Sequence, residues 1–151
     1  MHEKPISTSG PVLSLDPSDC NCNALQQAAR QVNQLYGRHM AKEGLRTGQY
    51  SILAKLNRLG PMPITELASI LAMDRTTMSR AVQPLKRDKL IAIGAGEDGR
   101  TRLVRLTAAG EARVASASAR WREAQKEFEQ ALGPGVAAQL RETLSRVVAL
   151  G

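Results

Sequence analysis

The chain has little to hold it together covalently and nothing with which to cross a membrane. Its only cysteines, Cys20 and Cys22, are too close together to staple distant segments, and such sparing use fits a reducing compartment. No apolar run approaches the ~20 residues of a membrane-spanning helix. The opening residues, MHEKPISTSGPVLSLDPSD, lack the basic stretch and long apolar core of a secretion signal. A cytoplasmic protein without a membrane partner is therefore expected. Acidic residues are scarce as well: 14 Asp and Glu stand against 21 Lys and Arg, a net charge of +7, which favours a polyanionic partner.

What remains is enough for one domain. At 151 residues the chain can bury a core of its own. Residues 1–18, rich in Pro, Ser and Gly, read as a flexible arm, leaving 19–151 as the domain. From about Asp19 to Lys42, Leu25, Ala28, Val32, Leu35 and Tyr36 recur at helical spacing. Thr47 is placed to cap a second helix that Gly60-Pro61 ends at Leu59. A short third helix is expected from Thr65 to Ala72, with Leu67, Ala68 and Leu71 buried, and Asp74 caps a fourth that runs to about Lys89. Leu90–Ile93 and Leu103–Leu106 are β-prone and form a hairpin. Thr107 then caps a long helix whose Val114, Ala117, Trp121, Ala124 and Phe128 make a narrow seam suited to another helix. Val136, Leu140, Leu144 and Val147 mark a sixth helix after Gly133-Pro134-Gly135.

The stretch IAIGAGEDGRTRLVRLT, Ile91–Thr107, contains G-x-G-x-x-G at Gly94, Gly96 and Gly99. A dinucleotide site needs a helix directly after those glycines to hold the pyrophosphate. Here RTRLVRLT reads as a strand, Glu97 and Asp98 occupy the phosphate positions, and no further β-α units follow. The motif is a decoy. A basic hairpin explains more: the glycines supply the bend, Asp98 accepts from the Arg100 guanidinium, and Arg100 is presented on a thin tip suited to a minor groove. Arg102 and Arg105 are then expected along the flanking phosphates of a nucleic acid.

Charge concentrates here. Between Arg75 and Arg105 eight basic residues face three acids, a local +5. On the fourth helix, MDRTTMSRAVQPLKRDKL, Thr76, Arg80, Gln83 and Arg87 share one face and Met78, Val82 and Leu85 the opposite one. Short Thr76, Thr77 and Ser79 permit close approach of the backbone, and Arg80 and Gln83 suit base edges in a major groove. Pro84 removes one ladder bond and is expected to kink the helix near Arg80.

LASILAMDRTTMSRAVQPLKRDKLI, DGRTRLVRLTAAG and GLRTGQYSILAKL resemble the helix–turn–recognition helix, the wing and the second helix of the multiple antibiotic resistance regulator (MarR) family. The resemblance covers roughly Cys22 to Leu150. It implies a mainly α fold with a small β-hairpin: a winged helix–turn–helix lobe, about 47–107, plus dimerisation helices at about 19–43 and 108–150. It further implies a homodimer on double-stranded DNA, with two recognition helices in successive major grooves of a pseudo-palindromic operator. By position, Thr76, Thr77, Ser79, Arg80 and Gln83 match base- or phosphate-facing residues, and Arg100 the wing-tip arginine. With Arg75, Arg87, Asp98 and Arg102 these make the expected DNA-binding set. Met62-Pro63, where many relatives have Thr or Ser, and Lys89, where Gly is common, depart from the pattern.

The expected function is a repressor released by a small effector, often an aromatic acid in this family. Arg30, Tyr36, His39 and Tyr50 have the chemistry for such a ligand. An alternative within the fold is redox sensing through Cys20 and Cys22, since a helix N-terminus favours the reactive thiolate. Against it, a Cys-x-Cys pair shares no helix face, and NALQQAAR does not follow the sensor's usual surroundings. Zinc at His2 or His39 lacks the four-ligand spacing of a structural site. A small enzyme built on Tyr50, His39 and a cysteine lacks a paired acid and base. No cofactor, metal or catalytic residue is expected.

Overall fold

The computed structural model describes residues 20–151, so the expected arm and His2 lie outside the described residues. Contacts divide the chain into two units, residues 1–32 and 33–151. In the first, Cys20 precedes α1 (Asn21–Met40), and its Sγ accepts the Asn23 N–H at 3.4 Å, the hydrogen bond that a Ser or Thr makes at a helix start. Arg30 is exposed, and Leu25 is 39% exposed.

The second unit takes in the rest of α1, a 3₁₀ turn at Ala41–Glu43, α2 (Thr47–Leu59), β1 (Met62–Pro63) and α3 (Ile64–Ile70). It continues with α4 (Arg75–Arg87), β2 (Ile91–Ala95), β3 (Arg102–Leu106), α5 (Ala108–Leu132) and α6 (Pro134–Val148). Thr47 is the first residue of α2 rather than its cap. Arg46 takes the cap position, and Gln49 Oε1 accepts the Arg46 N–H at 2.9 Å. The expected third helix begins and ends earlier, and Leu71 is only half-buried. The helix α4 continues through Pro84 to Arg87 as one element.

The hairpin is one part of a three-stranded antiparallel sheet of order β1-β3-β2. Central β3 pairs Val104 with Met62 on one side and Ile93 on the other. The sequence reading missed β1, since two residues give no alternation to detect.

Leu53, Leu67, Met78, Val82 and Leu85 are wholly buried in one core with Ile52, Leu56, Ile91 and Val104. Burying a side chain of this size contributes roughly 1.5–3 kcal/mol each. The lobe is tied to α5 at its first turn. Thr107 Oγ accepts the Gly110 N–H at 3.0 Å and donates to the Lys89 carbonyl at 2.6 Å. A Cβ on Gly110 would lie 2.0 Å from the Leu90 carbonyl oxygen, so only glycine fits. Lys89 itself sits at φ +59°, the left-handed region that glycine enters most easily.

Candidate nucleic-acid interface

The face of α4 opposite its buried residues is polar and open. Thr76, Arg80, Gln83 and Arg87 are all exposed, as are Arg75 and Thr77, and Ser79 is half-buried. Asp74 starts the helix: Oδ1 accepts the Thr77 N–H at 2.8 Å and Oδ2 accepts the Thr77 hydroxyl at 2.5 Å. Those bonds hold its carboxyl below the usual aspartate range, the hydroxyl contributing most. Thr77 is thus engaged in the cap, whereas Gln83 Nε2 reaches back to the Ser79 carbonyl at 3.3 Å. Among the described residues Arg75, Arg80, Arg100 and Arg102 have no carboxylate within ion-pair distance. The described residues leave their charge uncompensated, the condition for displacing counterions from a polyanion.

The wing is built differently from the expectation. Asp98 does not grip the Arg100 guanidinium. Its Oδ1 accepts the backbone N–H of Arg100 at 3.0 Å and of Thr101 at 2.8 Å, and its Oδ2 accepts the Thr101 hydroxyl at 2.6 Å. The carboxylate is spent on turning the chain, as Asp does in tight turns, and the Thr101 hydroxyl leads the bonds that depress its pKa. Gly99 at φ +69° completes the bend. Exposed Arg100 is therefore oriented through its backbone, with its guanidinium unpaired among the described residues. Arg105 is half-buried and donates to the Ala95 carbonyl at 3.3 Å, so it braces the wing. The three glycines of the decoy lead into β3, not a helix.

Of the four expected ligand residues, the three in the second unit, Tyr36, His39 and Tyr50, do not line one groove. Tyr36 donates to Gln125 Oε1 at 2.5 Å and packs on Phe128 with ring centroids 6.4 Å apart. His39 Nε2 lies 2.7 Å from Glu127 Oε2, and its Nδ1 lies 3.4 Å from Glu123 Oε2, with no hydrogen-bond partner among the described residues. Both side chains are thus occupied by α5. Arg30 belongs to the other unit. Tyr50 faces a groove of about 440 Å³, lined also by Ala54, Lys55, Arg58, Leu71 and Trp121. Burial pushes the Tyr50 phenol up, Arg122 opposing, so it stays a proton donor at neutral pH. Lys55 and Arg58 escaped the sequence reading, although their spacing from Ser51 and Tyr50 along α2 places them on one side. Cys20 and Cys22 are free and exposed, with Gln26 Nε2 3.4 Å from Cys22 Sγ. Among the described residues no cluster of His, Cys, Asp and Glu is placed to hold a metal, and no helix is long and apolar enough to cross a membrane.

Two helices joined by a short turn, the second carrying an open polar face beside a β wing, define a winged helix–turn–helix module. The MarR family model matches residues 45–92. A probable transcriptional regulator from Pseudomonas aeruginosa is 30% identical, with a TM-score of 0.78 over 87% of this chain and 99% of that one. The transcriptional regulator MosR of M. tuberculosis, solved in complex with DNA, is 31% identical, with a TM-score of 0.77 over 87% and 96%. The HTH-type transcriptional regulator YwoH of Bacillus subtilis (strain 168), itself uncharacterized, is 28% identical over 106 residues, 70% of this chain and 67% of YwoH. The chain belongs to the MarR family of winged helix–turn–helix, DNA-binding transcriptional regulators.

Proposed function

We propose that the chain is a cytoplasmic, dimeric repressor that leaves a pseudo-palindromic operator when a small organic anion binds. The observation that carries this reading is the exposed stripe of α4 on a fully buried apolar back, beside a wing whose Arg100 has no ion-pair partner among the described residues. In this reading Arg80 and Gln83 read base edges, and Thr76, Thr77, Ser79, Arg75 and Arg87 meet backbone or bases. Arg100 and Arg102 meet the flanking groove and phosphates, and Asp98 shapes the tip. The lobe is residues 47–107. Exposed Val136, Val147 and Val148 on α6, with Leu132 at the end of α5, supply a face for a second copy, and the family resemblance gives 19–43 the same role. Repression as the sign of regulation rests on the resemblance alone.

The groove at Tyr50 is the effector site of this proposal. Trp121 offers an aromatic wall, Lys55 and Arg58 offer two cations, and the protonated phenol offers a donor, which together suit a flat carboxylate. Such a ligand lies between α2 and α5 and can change how the lobe is held.

Fluorescence anisotropy with duplex DNA from upstream of the chain's own gene, against a scrambled duplex, tests the DNA reading across a salt range. Tight, selective binding that weakens steeply with salt is expected, with a log–log slope of about −0.9 per phosphate contacted. Equal, weak binding to both duplexes at every salt overturns it. Aromatic carboxylates added to the complex then test the groove: release of DNA by wild type and not by an Arg58→Ala variant is expected.

A second reading, oxidant release, is favoured by one observation: free, exposed Cys20 sits at the start of α1 with its sulfur accepting a helix N–H. Loss of DNA release by organic hydroperoxide in the Cys20→Ser, Cys22→Ser double variant is its test. A double variant that still releases DNA leaves the pair without a sensing role.

A further inference from the structure

The polar stripe of α4 does not stop at the helix. Arg87, about three turns beyond Thr76, opens onto a second groove of about 410 Å³ that is also lined by Arg46, Gln49, Gly44 and Pro84. Among the described residues no acidic and no aromatic side chain lines it. Arg46 is exposed at the cap of α2, with extended backbone at φ −88° and ψ 155°. Among the described residues it has no carboxylate within ion-pair distance. Gln49 spends its amide oxygen on the Arg46 N–H, and its amide nitrogen keeps hydrogen-bond donors. Asp88 Oδ1 approaches Arg87 Nε at 3.7 Å, beyond hydrogen-bond length, so the guanidinium keeps donors for an anion. The groove is thus lined by two planar cations and an amide donor.

We propose that Arg46 and Arg87 together clamp one backbone phosphate of the DNA, just beyond the bases that α4 faces. The inference rests on the DNA-binding reading above and adds Arg46, which lies outside the recognition helix and the wing. Arginine forks match phosphate oxygens in pairs. The absence of an aromatic wall separates this groove from the one at Tyr50, where an organic ligand has a ring to stack on. Continuity with the exposed stripe makes the occupant a phosphate of the same duplex, since a strand lying along Thr76, Arg80, Gln83 and Arg87 runs on to the groove. A phosphate contact of this kind fixes register and strengthens binding without choosing sequence.

The full chain carrying Arg46→Ala, Arg87→Ala, both, or Arg46→Lys is titrated against the upstream and scrambled duplexes across a salt range. Each single alanine variant weakens binding to both duplexes by about tenfold. The double variant loses less than the product of the single losses, because half a clamp has little left to lose. Its salt slope falls by about 0.9 per protomer, one phosphate fewer being neutralised. Arg46→Lys keeps most of the slope, which separates lost charge from a disturbed start of α2. Wild-type affinity and slope in Arg46→Ala overturn the clamp, as do single losses that multiply independently in the double variant. A wild-type protein that binds neither duplex with a salt-steep isotherm removes the DNA-binding reading itself, and the clamp with it.

Discussion

Two amphipathic helices of nearly equal length, α4 with 13 residues and α6 with 15, fare differently in the folded protomer. On α4 the apolar positions Met78, Val82 and Leu85 are 0% exposed. On α6 only Ala137 is buried, while Val136 is 53% exposed and Val148 62%. Periodicity says which side of a helix avoids water, and it is silent about which surface covers that side. The lobe around α4 covers its own, through α2, α3 and the sheet. Among the described residues the apolar side of α6 is left largely uncovered, and we propose that a second protomer covers it.

That contrast can be broken at several points, the largest effect first. Leu85→Ala opens a cavity in a closed core and is expected to cost about 2–5 kcal/mol by chemical denaturation. Gly110→Ala is next. Alanine is the better helix former by about 1 kcal/mol, yet the Leu90 carbonyl lies 2.0 Å from the new Cβ, so a net loss of about 1–3 kcal/mol is expected. A gain would mean that the lobe and α5 are not tightly joined there. Val136→Asp should alter the stability of a protomer by less than about 0.5 kcal/mol while shifting sedimentation towards the monomer. If it destabilises the protomer as much as Leu85→Ala does, α6 is covered within its own chain and the contrast disappears.

The smallest effect is on the wing. Hydrogen bonds from Thr101 and Arg100 hold the Asp98 carboxyl below the ordinary aspartate value of 3.8. A depressed folded-state pKa gives stability that is present above that value and is lost as pH falls through the lower folded one. Wild type is therefore expected to melt slightly above Asp98→Asn near neutrality, with the gap closing as pH drops below 3.8. A gap that persists in acid would show that the charge of Asp98 does not shape the turn.

Much of the lobe was legible because its signals are local. The buried and exposed sides of α4 follow from 3.6-residue spacing, and the Asp74 and Thr107 caps follow from residue type next to a periodic run. What escaped depended on tertiary placement. Met62-Pro63 is too short to show strand alternation, and only pairing with Val104 and Leu103 makes it β1. Asp98 could serve a guanidinium or a backbone turn, and sequence spacing does not choose between them. Tyr36, His39 and Tyr50 share the chemistry of a ligand pocket, but α5 engages the first two and leaves Tyr50 to a separate groove. Arg46 gave no signal, because its closeness to Arg87 depends on how α2 packs against α4.

In the proposed complex α4 lies in the major groove twice, once from each of two related protomers. Dimethyl sulfate footprinting of the upstream duplex with the full chain addresses it directly, since guanine N7 faces that groove. Protection should appear as two patches about 10 base pairs apart, one for each recognition helix. Saturating protein that leaves every guanine N7 reactive would contradict it, placing the basic lobe on the phosphates alone.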